Sequence, residues 1–219
     1  LDSAYFCQVK DKTGKIIYRL PNHHFDIKAT SPGRGTIVLL GGVIDYGEIN
    51  RNLFWIRPNY VDTVYSTSDW TDVRPYYIIQ RNNRAADYAW SVRMKVGDIT
   101  REDAEREQLC NVYALKSGLL FNYLFNPKQQ GAGFCPANGK SKTISRLFKN
   151  DIDSYCPSID LWQAIAYKTL YQKEDYLYLL IDAFKFFEEG AKSPFPDLTE
   201  ESNPVLVKLK LKNGKRRYV

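Results

Sequence analysis

The stretch 87–125, DYAWSVRMKVGDITREDAEREQLCNVYALKSGLLFNYLF, decides how the rest of the chain is read. In its first part Tyr88, Trp90, Val92, Met94 and Val96 alternate with Ala89, Ser91, Arg93 and Lys95. This is the period-two pattern of a half-buried strand, closed by Gly97. The second part opens at Thr100, whose hydroxyl can accept from free amides at a helix start. Glu102, Asp103 and Glu105 follow where the helix dipole favours negative charge. The pattern predicts a strand, then a helix burying Leu109, Val112 and Tyr113. Gly118 would kink or break that helix, and Asn126-Pro127 would end the segment.

Towards the N-terminus, 4–20 reads as a hairpin around the turn Asp11-Lys12-Thr13-Gly14. Pro32, Gly33 and Gly35 form a loop before 36–40, an apolar run read as a buried strand. That loop lacks the GxGxxG or GxxxxGK spacing that cradles phosphates. Towards the C-terminus, 128–142 is a loop by composition, and a helix is expected after Ser158 with Asp160 in its first turn. A further helix is expected over 175–189, where Leu177, Leu180, Ile181, Phe184 and Phe187 recur at helical spacing before Gly190. The run 205–212 alternates apolar residues and lysines before Asn213-Gly214, a two-residue hairpin signal. These pieces assemble into a single α+β domain over 1–219, strand-rich over 1–97, helix-rich over 98–190, with a basic β-hairpin at 204–219. Its mostly antiparallel sheet, from the N-terminal half and the C-terminal hairpin, would be covered by helices from the 100–190 region.

A hydrophobic fraction of 44% with 26% charged residues excludes a disordered tail or a coiled coil. No apolar run approaches the roughly 18–20 residues of a membrane helix, so no transmembrane segment is expected and the protein should be soluble. A net charge of +6 favours acidic partners. The four cysteines show no CxxC spacing and the histidines are His23 and His24 alone, so no metal centre and no cofactor is expected. Cys135 and Cys156 each precede a proline and bracket a basic loop. They are the first pair to test for a disulfide, which would suit a secreted or virion-associated protein. Four buried thiols in a reducing cell fit equally well.

Between 53 and 93, aromatic residues interleave with arginines. Flat rings for stacking and guanidinium forks for phosphate or carboxylate are what a recognition face uses. The binding candidates are Arg57, Trp70, Arg74, Tyr76, Arg81, Arg84, Trp90 and Arg93, joined by Lys208 and Lys210 of the basic hairpin. The expected function is a binding domain for an anionic macromolecule, either nucleic acid or an acidic protein surface. Asp45, Glu48, Asp62, Asp69 and Asp72 are carboxylates in or beside the same region, with nothing in the sequence to select a catalytic pair.

The alternative class is an enzyme. A thiol peptidase would use His24 or His23 as base, Asp45 or Asp62 to orient it, and Cys135 as nucleophile behind the glycines of 129–135. Separately, Tyr18-Arg19, Tyr65-Ser66-Thr67-Ser68 and Glu105-Arg106-Glu107 together resemble the Arg, Ser-Thr-Ser, Glu-x-Glu order of ADP-ribosylating toxin A-chains. The resemblance implies that Arg19 and the Ser66 strand organise NAD and that Glu107 contacts its ribose. The Asp-Ser-Arg-Pro-Pro run of that family is absent here. A helix from Thr100 would point Glu105 and Glu107 about 200° apart, away from one shared ribose.

Overall fold

The computed structural model describes residues 4–22, 44–81, 83–96, 100–125, 129–137, 139, 142–144, 147–148, 159–167, 169–187 and 195–210. In chain order the elements are β1 (Tyr5–Lys10), β2 (Ile16–Pro21), β3 (Ile44–Asn50), β4 (Leu53–Pro58), β5 (Thr63–Thr67), β6 (Arg74–Ile78) and α1 (Tyr88–Val96). Next come β7 (Glu107–Leu115), β8 (Gly118–Phe125), β9 (Gln129–Pro136), β10 (Lys142–Ile144), β11 (Leu147–Phe148) and β12 (Ile159–Asp160). The last are α2 (Leu161–Ala166), β13 (Leu170–Lys173), β14 (Tyr176–Ile181) and β15 (Val205–Lys210). The expected α+β fold with a helical cover is therefore corrected: the described chain is mostly antiparallel β-sheet, and its two α-helices are short.

The strands form sheets ordered β3-β4-β5-β6, β10-β9-β8-β7 and β13-β14-β15, with the pairs β1-β2 and β11-β12 beside them. The β7–β10 sheet lies in the middle. On one face Tyr113, Leu115, Leu120 and Phe134 pack against α2 and the inner side of β13–β15. On the other, Val112, Ala114, Leu119 and Phe121 pack against Ile49, Trp55 and Val64 of the β3–β6 sheet. Burying each such side chain contributes about 1.5–3 kcal/mol, so a strand covered on both faces must be apolar in both registers. That requirement made 107–121 read as a helix. An uninterrupted apolar run also satisfies helical spacing.

The two halves of the deciding stretch are exchanged in the structure. Residues 88–96 form α1, because Asp87 Oδ1 accepts the Trp90 amide at 2.7 Å and caps the helix. Tyr88 and Trp90 are buried with Tyr60 and Ala86. The cap predicted at Thr100 is present, since its Oγ1 accepts from Asp103 N at 3.1 Å and its own amide donates to Asp103 Oδ2 at 3.2 Å. It starts only a 3-10 turn, Asp103–Glu105. The Glu107 amide donates to Arg84 O and Glu107 O accepts from Ala86 N, each at 2.8 Å. These bonds draw the chain into β7. The β7–β8 hairpin turns at Lys116-Ser117, with Gly118 at φ +150° pressed so closely on the Cys135 carbonyl that a Cβ has no room.

The 175–189 helix is corrected as well: 176–181 is β14, followed by the 3-10 turn Ala183–Phe186. The N-terminal hairpin forms as expected, its turn held by Asp11 Oδ1 accepting from Thr13 N and Lys15 N. Asp160 caps α2 by accepting from Gln163 N. Residues 205–210 form a strand, but its partner is β14. The expected strand over 36–40 and the turn at Asn213-Gly214 lie outside the described residues.

Candidate functional site

The arginines and aromatics of 53–93 go to different places. Arg57 is completely buried; its Nη1 donates to Asp45 Oδ2 at 3.0 Å and its Nε to Val61 O at 3.0 Å. Burial pulls its pKa down against the opposing Asp45 charge. Arg81 pairs with Asp62, its Nη2 3.1 Å from Oδ2, and donates to Ala86 O. Arg93 makes a two-point contact with Asp103, whose carboxyl it holds well below the usual carboxylate range, with Thr100 adding further donors. Trp90 is buried and its Nε1 donates to Asp103 O. Trp70 is half-buried beside Tyr18, ring centroids 6.2 Å apart. Tyr76 stacks edge-on with Tyr77. Arg74, which pairs with Asp72, and Arg84 are exposed.

Lys208 and Lys210 lie where side chains of like chemistry collect. In the β13–β14–β15 register, Tyr171 faces Tyr178, which faces Lys208; Lys173 faces Tyr176, which faces Lys210. Because Leu170, Gln172, Leu177 and Leu179 point into the core, period two sends these three tyrosines and three lysines to the outer side. Lys208 Nζ sits 3.8 Å from the centroid of the Tyr176 ring and Lys210 Nζ 5.5 Å from it. Tyr171 and Tyr178 are 6.3 Å apart, and Tyr171 is 61% exposed. Tyr171, Lys173, Tyr176 and Tyr178 are not among the residues singled out from sequence. For Tyr176 and Tyr178 the signal was there in the alternation of 176–181, and it was hidden by helical spacing of the leucines and phenylalanines.

Two cavities lie elsewhere among the described residues, the smaller one reaching Tyr171. The larger, about 760 Å³, lies between the end of β6 and the β7–β9 sheet, lined by Tyr77, Ile79, Arg81, Glu107, Phe121 and Cys135 among others. Cys135 is a free, half-buried thiol whose Sγ donates to Gly139 O at 3.4 Å. Burial pushes its pKa up, opposite to what an activated nucleophile needs. Cys7 and Cys110 are also free among the described residues. His23, His24 and Cys156 lie outside the described residues. Glu105 and Glu107 sit on a turn entering a strand, so the helical argument that separated them no longer applies. Glu107 lines this cavity, and neither Arg19 nor Ser66 does.

The smaller cavity, about 360 Å³, opens where the edge strands β3, β7 and β13 meet. Side chains seal those edges. Asp45 accepts from the Val112 amide and from Asn111 Nδ2, both at 3.0 Å. Gln172 Nε2 donates to Glu48 O and Ala114 O, and its Oε1 accepts from Trp55 Nε1 at 3.1 Å. Gly47 lies under that indole, where a Cβ would collide with it. Among the described residues no group of histidine, cysteine and carboxylate side chains is arranged to hold a metal, and no helix is long and apolar enough to cross a membrane. No protein-family model, curated protein or solved structure matches the chain.

Proposed function

We propose that the protein is a binding module for single-stranded nucleic acid, using the outer face of β13–β15. What supports the reading is one juxtaposition: Tyr171, Tyr176 and Tyr178 share an exposed sheet face with Lys173, Lys208 and Lys210. A sheet side chain projects perpendicular to the strands, so the rings stand as a platform on which bases stack. The Lys208 and Lys210 ammonium groups lie over the Tyr176 ring, beside the Tyr171 and Tyr178 rings that are left for stacking and within reach of the backbone phosphates. Stacking tolerates any base, and the phosphate contacts carry no sequence information. The predicted preference is therefore for single over double strands, with little dependence on sequence.

The test is fluorescence anisotropy of a labelled oligo(dT) strand against the whole chain over a salt series. Three lysines at roughly 0.7 each give a slope of log K against log salt of about −2. Lys208→Ala and Lys210→Ala should each flatten that slope by about 0.7. Tyr178→Ala should cost about 1–3 kcal/mol and leave the slope unchanged. Equal affinity for duplex and single strand, or an unchanged slope in both lysine variants, would sink the proposal. Binding of an acidic polypeptide such as poly-glutamate, unaffected by Tyr178→Ala, would point instead to an acidic protein partner.

A further inference from the structure

We propose that the cavity at the junction of β3, β7 and β13 binds the ring of a neutral sugar. The cavity joins a polar floor to an aromatic rim. Its floor carries Asp45 and Asn111, both buried, and Gln172 holds one wall. Its rim carries Tyr46, 74% exposed, Tyr171 and Phe54. Pockets of this size, lined by aromatic groups with a few convergent polar atoms, are the usual form of small-molecule sites, which begin at about 300 Å³.

The floor specifies what the ligand must offer. Asn111 Nδ2 donates to Asp45 Oδ1, and a carboxylate oxygen can only accept, so the orientation of the amide is forced. Asn111 Oδ1 is then an acceptor with no partner among the described residues. A buried acceptor left unmade destabilises the fold, so the place calls for an O–H or N–H donor. Gln172 cannot supply one, because both ends of its amide are engaged with Trp55, Glu48 and Ala114.

Charge and shape narrow the class. Arg57 balances Asp45 from behind, and Glu48 is the other carboxylate of the lining. No lysine or arginine lines the cavity among the described residues, which disfavours a phosphate or carboxylate ligand. A purely aromatic ligand would suit Tyr46, Phe54 and Tyr171 but would leave Asn111 Oδ1 unpaired. A pyranose ring satisfies both requirements. Its hydroxyls donate to Glu48 and, once the ring displaces the side chains that cover the buried Oδ1, to Asn111, and its C–H face lies on the exposed aromatic rings.

The experiment is saturation-transfer difference NMR on the whole chain, with the methyl glycosides of glucose, galactose, mannose and N-acetylglucosamine at millimolar concentration. At least one should receive saturation, strongest on its ring C–H protons. Tyr46→Ala, a change at an exposed ring, should weaken its binding roughly two- to tenfold. Asn111→Ala should abolish it, and if that chain does not fold, Phe54→Ala takes its place with the same expectation as Tyr46→Ala. No transfer to any of the four sugars would overturn the proposal. So would transfer that survives these substitutions, or transfer lost in Lys208→Ala instead, which would put the sugar on the lysine face.

Discussion

Replacing Asp45 tests the reasoning about how the sheets are joined. Its carboxylate holds Arg57 Nη1, Val112 N and Asn111 Nδ2, each at 3.0 Å. Asp45→Leu keeps the branched shape of the side chain but leaves the fully buried Arg57 charge without its partner, which costs about 3–5 kcal/mol. It also strands two donors worth about 1–3 kcal/mol each, though groups sharing one partner do not add in full. A total of about 4–6 kcal/mol is expected, a large part of a stability that is about 5–15 kcal/mol for ordinary domains. Arg57→Met alone should cost less, because the remaining carboxylate keeps the Val112 and Asn111 donors. In the double variant no buried charge is left, so it should be more stable than the sum of the singles implies by about 2–3 kcal/mol. Urea unfolding of the four chains, followed by tryptophan fluorescence, measures this; Trp55, bonded to Gln172, lies at the same junction of the sheets. If Asp45→Leu costs under about 1 kcal/mol, or the two changes simply add, this pair does not join the sheets as argued.

Two pH effects follow from the structure. Asp103 has its folded pKa depressed, first by Arg93, so its contribution is present above the unfolded value of about 4 and is lost as pH falls through the folded one. Asp103→Asn should cost about 1.5–3 kcal/mol at neutral pH, and the gap to the native chain should close on acidification; a gap independent of pH would contradict the assignment. Tyr60 is shifted the other way, from 10.0 to about 12, by burial. A raised folded pKa gives stability that is full below pH 10 and lost as pH rises towards about 12. Phenolate absorbance should therefore rise together with unfolding in that window, and Tyr60→Phe should reduce the steepness of the loss; ionisation of Tyr60 at its ordinary pH without unfolding would refute this.

What the sequence determined by itself are features that act over about four residues. Asp11 and Gly14 make the first turn, the helix expected after Ser158 is α2 with Asp160 as its cap rather than in its first turn, and Thr100 with Asp103 makes a reciprocal cap, because a short side chain next to free amides needs no distant partner. The alternation of 205–210 and its outward lysines were also legible, since period two records which side is wet. Tertiary structure alone decided how long each element runs. Arg84 and Ala86 take the backbone bonds of Glu107 and end the Thr100 helix after one turn. Two flanking sheets bury both faces of β7 and β8, removing the polar alternation that marks a strand. Arg57, Arg81 and Arg93 face the same limit. Their guanidinium groups were visible as charge, but only the folded chain supplies Asp45, Asp62 and Asp103 to take them. The stretch 87–125 holds both lessons, for its caps were local and its strands were made by neighbours far away in the chain.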